Sequence, residues 1–279
     1  REYSQATLSI HDTRYRTLIG ELGDKNIAEV TTLDIAGLLE ARTPRVANQL
    51  RQVCCDVFNV ACSRGLCRDN PAEVTLKKKA VKQRKRLTHD QFQLIHKNAP
   101  VWLQNAMDLA YLTLQRRGDI IVMKFSDIKE GNLYVIQQKT KKHDTGYLRI
   151  QMSESLERLT KRCQDSTASP FIIHRRPTRI VRRDKAEHWT QIAPSYLSHA
   201  FKEITDSLDE FSNMTAAQRP TFHEIRALGI KNMRDAGENP QSLAGHASEQ
   251  MTNNYDSGHD EIRWTEAAVT LNLLDKTSS

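Results

Sequence analysis

Arginine, lysine and histidine are the residue types in this chain that could bind a phosphate or move a proton beside it. His223 and Arg226 stand three apart in Thr221-Phe222-His223-Glu224-Ile225-Arg226. The segment reads as a capping box, with Thr221 as N-cap and Glu224 at the third helical position. Both basic side chains then share one face of a helix's first turn, where free backbone N–H groups and the positive dipole end also favour an anion. The second histidine of the zinc motif His-Glu-x-x-His is missing, so no metal site is expected here. An ordinary capped helix with a surface His and Arg would carry the same letters. Farther on, Asn239-Pro240 opens a short helix that leads to Leu243-Ala244-Gly245-His246, and Tyr255 follows four residues after Met251.

These side chains need a scaffold. Trp102 to Leu114 reads as a mostly apolar helix that breaks off before Gln115-Arg116-Arg117-Gly118-Asp119. Leu133 to Gln138 is a strand that delivers Lys139 to the turn-rich His143 to Gly146, and Tyr147 to Ile150 returns as its partner. Helices resume from Ser153. Near the start, Val46, Leu50, Val53, Val57 and Val60 form one apolar stripe, which Gly65 and Asn70-Pro71 end. Thr32 could cap an earlier helix through Ile35, Leu38 and Leu39. The chain thus divides into a small all-helical domain (1–76), a linker (77–87) and a mixed domain (88–279).

The linker concentrates the charge. Lys77, Lys78, Lys79, Lys82, Arg84, Lys85 and Arg86 lie in ten positions without an acid, and they equal the whole net excess of +7. Like charges this dense resist packing, so the run reads as solvated: a plain tether, or one lying along phosphate. His174 to Lys185 holds six more cations, beginning with Arg175 and Arg176, and offers a second phosphate-facing surface.

With 38% hydrophobic and 27% charged residues, the chain can build a core and is not of disordered type. It lacks a run of about 18 apolar residues that could span a membrane, and it opens without a basic-then-apolar leader. It begins at Arg1 rather than Met, as a fragment or processed form would. Cys54, Cys55, Cys62, Cys67 and Cys163 are odd in number and include no Cys-x-x-Cys, so buried free thiols in a reducing cytoplasm are expected.

Taken in order, Arg116, Lys139 on its strand, His223-x-x-Arg226, Gly245-His246 and Tyr255 nine residues later resemble the tyrosine recombinase (phage integrase) family, closest to lambda-type integrases. The resemblance spans nearly the whole chain. It implies a mainly α fold with a small antiparallel sheet: a helical core-binding domain followed by an α+β catalytic domain, closing on duplex DNA as a clamp. It also implies that Tyr255 is the nucleophile and forms a 3′-phosphotyrosine, with Arg116 and Arg226 binding the phosphate. Lys139 would protonate the leaving 5′-oxygen, with Lys141 and Lys142 close enough in sequence to compete for that role; His223 and His246 would assist, and Asp119 would support the arginine. The linker cations, Arg175 and Arg176 would contact DNA. No ATP or other cofactor is required, because a covalent phosphotyrosine conserves the bond energy, and no metal, because two guanidinium forks neutralise the non-bridging oxygens.

The partners implied are double-stranded attachment sites, a homotetramer on synapsed DNA, a host DNA-bending protein and an excisionase, all in the cytoplasm of a bacterial host. Trp264 to Leu274 is expected to be a tail that docks on a neighbouring protomer. The chain departs from the family in three places, of which the smallest is Ala244, where a leucine is frequent before Gly245-His246. Leu114 stands where Thr-Gly-x-Arg has glycine, which should alter the local turn. In addition, nothing resembles the N-terminal arm-binding domain of lambda-type integrases. A DNA-binding protein without catalysis, or an enzyme that relaxes supercoils by the same chemistry, are the alternatives.

Overall fold

The computed structural model describes residues 5–79, 83–139, 146–178, 186–245, 265–269 and 271–272. It separates into two compact units, 1–82 and 83–279.

The first unit is helical: α1 (Gln5–Leu22), α2 (Thr32–Glu40) and α3 (Pro44–Ser63). Thr31, one residue earlier than expected, caps α2 in a capping box with Asp34. Lys25 and then Thr31 hydrogen-bond the Asp34 carboxylate and hold its pKa down to about 2. Proline at the first turn starts α3, where its missing N–H has no partner to lose. The buried face of α3 is Ala47, Leu50, Val53, Cys54, Cys55, Phe58 and Ala61, whereas Val60 is 51% exposed. The apolar stripe read from the sequence therefore holds at Leu50 and Val53 and fails at Val60, because Phe58 and the cysteines fill the core against Ile35, Leu38 and Leu39. Cys54, Cys55 and Cys163 are buried free thiols, while Cys62 and Cys67 are half-buried with their sulfurs 3.1 Å apart.

The basic run is not loose at this end. The Asn48 side chain bonds both backbone groups of Lys78 at 2.8 Å. The Lys78 ammonium donates to the Glu40 and Arg42 carbonyls at 3.0 and 3.2 Å, at the C-terminus of α2 where a cation is favoured. Lys77 and Lys79 are exposed, and Lys82 lies outside the described residues.

In the second unit α4 (His89–Asn98) begins at a Thr88–Gln91 capping box. α5 (Val101–Thr113) runs through the centre of the core, with every residue from Leu103 onward buried except Gln104. After α6 (Arg117–Ile120) come β1 (Ile128–Lys129), β2 (Asn132–Ile136) and β3 (Tyr147–Gln151), then α7 (Glu154–Cys163), α8 (Pro194–Ser207), α9 (His223–Asp235) and α10 (Gln241–Ala244). β1, β2 and β3 pair antiparallel, with Leu133 opposite Ile150 and Ile136 opposite Tyr147. A further strand, β4 (Thr265–Ala268), pairs parallel to β3. The sheet is therefore mixed rather than antiparallel. Part of the expected docking tail is a strand on this chain's own sheet, where Ala267 and Val269 join the core.

Leu114 does not alter the turn after α5; it adopts the left-handed conformation that glycine would, at φ 55°. That conformation costs a residue with a Cβ about 1–2 kcal/mol. Full burial of the side chain offsets the cost, since removing such a leucine forfeits about 2–5 kcal/mol. Leu114 lies so close to Gly229 of α9 that a Cβ there would stand 2.5 Å from its Cδ2. Leu114→Gly should therefore destabilise the protein by about 2 kcal/mol despite suiting the turn. Urea unfolding would show a lower midpoint; an unchanged or higher one would mean that backbone strain outweighs burial.

Candidate functional site

Four segments of the second unit converge. Arg116 sits in the turn between α5 and α6, presented by the left-handed Leu114 two residues before it. Asp119 is in α6, Lys139 follows β2, and His223 and Arg226 occupy the first turn of α9. The segment ending at Gly245 closes the group, and Gly245 caps α10 at φ 63°.

Arg226 is only 4% exposed. Its guanidinium donates to the Leu114 carbonyl at 2.5 Å and to the Ala244 carbonyl at 2.6 Å. One arginine thus ties α9 to both the α5–α6 turn and the α10 end. Burial, and then the positive charge of Arg116, lower its pKa to about 10. It still carries its proton at neutral pH, so the two guanidiniums form a partly desolvated cationic pair.

Arg116 donates to Gln137 Oε1 at 3.0 Å and lies 4.0 Å from the Asp119 carboxylate. Asp119 accepts the Gln138 N–H at 2.9 Å with one oxygen, which pins the start of the hairpin beneath Arg116. Burial raises the Asp119 pKa against the opposing pull of that hydrogen bond and of both arginines. The neighbouring Arg117 goes elsewhere, bonding Ser198 on α8.

His223 has a solvent-exposed edge, but the atoms packed around its inner side and the charges of Arg226 and Arg116 lower its pKa. A neutral imidazole that can accept a proton is thereby favoured beside the arginines. The capping box expected at Thr221 is not formed: α9 starts at His223 without a side-chain cap. Glu224 instead accepts from Arg86 at 2.9 Å, a partner that the local sequence pattern does not contain.

The linker's second end is also engaged. Arg84 bonds the Arg219 carbonyl, and the Lys85 N–H donates to Gln218 at 2.9 Å, although the side chains of Arg84, Lys85 and Arg86 remain exposed. Lys139 is exposed at the base of the hairpin. Arg175 is stacked over Tyr196, 4.3 Å from the ring centroid, with Trp102 beside them; Arg176 is exposed. Lys141, Lys142, His246 and Tyr255 lie outside the described residues. Among the described residues there is no cluster of His, Cys, Asp or Glu able to hold a metal ion.

Sequence reasoning missed Gln115 and Gln137, both buried between the arginines and the α10 end. Their uncharged amides carry no signature of position or charge in the sequence.

The arrangement can bind one anionic phosphate with two preset guanidiniums and place a proton carrier next to it. Residues 85–261 match the phage integrase family, and residues 3–78 match the phage integrase central domain. The integrase of Enterobacteria phage P21 is 32% identical over 255 residues, covering 86% of this chain. The chain spans 65% of that relative's length. A lambda integrase (75–356) dimer bound to a COC′ core site superposes with a TM-score of 0.75 at 26% identity, over 94% of both chains. A lambda integrase tetramer bound to a Holliday junction matches with a TM-score of 0.75 at 26% identity, over 94% of this chain and 76% of that one.

Proposed function

We propose that this chain, which belongs to the phage integrase family, is a site-specific DNA recombinase that cuts and rejoins strands through a 3′-phosphotyrosine. The observation that carries the reading is the pairing of Arg226 and Arg116, each fastened by hydrogen bonds at the start of α9 and the α5–α6 turn. A phosphodiester passing to its phosphorane gains charge on the non-bridging oxygens, and two preset forks neutralise it where a metal would otherwise be needed.

In this reading the Tyr255 phenolic oxygen attacks phosphorus and the 5′-oxygen leaves. A free phenol has a pKa of about 10 and is about a thousandth ionised at neutral pH, so its proton needs an acceptor. His223, held neutral, supplies one, with His246 as a second hydrogen-bonding partner of the phosphate. Lys139, on the hairpin anchored through Gln138 to Asp119, protonates the leaving oxygen. Rejoining reverses these steps. Residues 1–76 act as the core-binding domain, 77–87 as the linker and 88–279 as the catalytic domain. Lys77, Lys79, Arg84 to Arg86, Arg175 and Arg176 bind the DNA backbone.

The substrate is a pair of duplex attachment sites in bacterial cytoplasm. The tetramer on a Holliday junction formed by lambda integrase supports a homotetramer here. A host bending protein and an excisionase would complete the reaction.

The test is a nicked suicide duplex bearing the attachment site, incubated with the protein in EDTA. A covalent protein–DNA band should form at the same rate with or without the chelator. A band that appears only with magnesium would overturn the mechanism. Exchange between two sites without general plasmid relaxation marks a recombinase; relaxation alone would mark a topoisomerase-like enzyme, and binding alone an inactive DNA-binding protein.

A further inference from the structure

Gln137 is fully buried at the base of the hairpin, where its N–H donates to the Gly146 carbonyl at 2.8 Å. Its Oε1 accepts from Arg116 at 3.0 Å. Its Nε2 donates to Gln115 Oε1 at 2.6 Å and to the Ala244 carbonyl at 3.0 Å. Gln115, 1% exposed, passes the chain on by donating to the Leu243 carbonyl at 2.7 Å. The orientation of the Gln137 amide follows from its partners: the nitrogen faces two oxygens and the oxygen faces a guanidinium.

The Ala244 carbonyl also accepts from Arg226. Both guanidiniums are therefore fastened to one small cluster, Arg116 through Gln137 Oε1 and Arg226 through Ala244. Gly245 lies flat against the same amide: a Cβ there would stand 2.7 Å from Gln137 Nε2 and 2.8 Å from its Oε1. The left-handed backbone and the close approach both demand glycine immediately before His246.

We infer that Gln137 is the positioning residue that sets Arg116 and Arg226 in register with the Lys139 hairpin and the segment leading to His246. This rests on the recombinase reading above. Two like charges repel, and something must hold them at the spacing that one phosphate requires. A carboxylate at 137 would hold Arg116 but would compete with the phosphate for its charge. A neutral amide holds the guanidinium without cancelling it, and its two N–H groups satisfy oxygens from the other segments. Each bond in the chain Arg116–Gln137–Gln115–Leu243 also polarises the next.

Gln137 should accordingly govern the rate of cleavage rather than DNA affinity. Gln137→Ala and Gln137→Glu in the full chain are expected to form the suicide-duplex adduct about 10²-fold more slowly at saturating protein, with Kd for the duplex within about threefold of the parent. A second substrate separates positioning from general damage. A methylphosphonate at the scissile position replaces one non-bridging oxygen with methyl, so less charge develops and the placement of two guanidiniums matters less. The ratio of parent to variant rates should then shrink from about 10² to below about 10.

A residue that merely stabilised the fold would slow both substrates by the same factor. Equal slowing, parental cleavage rates on the phosphodiester, or failure of both variants to fold would each overturn the positioning role while leaving the recombinase reading intact. A parent protein that forms no adduct would instead remove the recombinase reading itself, and this inference with it.

Discussion

Tyr255→Phe is expected to bind its DNA site as the parent does and to form no covalent adduct. The substitution removes one oxygen and leaves the ring, so packing and the phosphate contacts of the arginines should survive. Gel-shift affinity should stay within about twofold, while the suicide-duplex band, present for the parent, should vanish. The motive is positional: Tyr255 stands nine residues after His246, beyond the His223-x-x-Arg226 turn. A persistent band would mean another nucleophile; Tyr196 is 41% exposed, whereas Tyr111, Cys54 and Cys163 are buried. Tyr196 lies under the Arg175 guanidinium on α8. Tyr111 is buried, its hydroxyl bonded by Asn232 and its pKa raised by burial. Burial pushes the thiol of Cys163 up to about 12 and that of Cys54 to about 11, so thiolate is scarce at both. Loss of the band together with loss of binding would instead point to a structural role for the Tyr255 hydroxyl.

The parts of the fold that could be read ahead are those whose signal is local. The apolar run of α5 and the paired strands β2 and β3 lie within single short stretches of sequence, and they appear within a residue or two of where the pattern puts them. Signals that depend on a distant partner mislead. Thr221 and Glu224 have the letters of a capping box, but Arg86 takes the carboxylate. β4 carries no alternation, and its hydrogen-bonding partner is β3, far back in the chain. In the apolar stripe of α3, Leu50 and Val53 are buried as the period requires, but Val60 is exposed, because the larger Phe58 and the cysteines take the rest of the inner face. In the site, cations announced themselves through charge and spacing. The amides that hold them did not, since Gln115 and Gln137 look in sequence like any surface glutamine. The Leu114 turn differs from expectation for a related reason: the strain is visible from residue type, whereas the burial that offsets it is visible only in three dimensions.

Arg226→Ala should reduce the rate of adduct formation by about 10³-fold with Tyr255 still in place, and Arg226→Lys by about 10²-fold. The argument rests on what the guanidinium does besides carrying charge. Its donors to Leu114 and Ala244 fix its direction before any DNA arrives. Lysine keeps the charge but has no planar fork, so it cannot span two carbonyls and still present a paired face to phosphate. Burial beside Arg116 also leaves the free protein with a poorly compensated cation, which is why its pKa falls to about 10. A bound phosphate supplies the missing counter-charge, and the pentacoordinate state supplies more of it, so the interaction strengthens along the reaction rather than at binding. Single-turnover rates on the suicide duplex should therefore drop far more than affinity does. The methylphosphonate duplex should return part of the loss in Arg226→Ala, since it asks for less positive charge. A drop in affinity equal to the drop in rate would mean that Arg226 only holds DNA, and cleavage within about tenfold of the parent would take it out of the chemistry altogether.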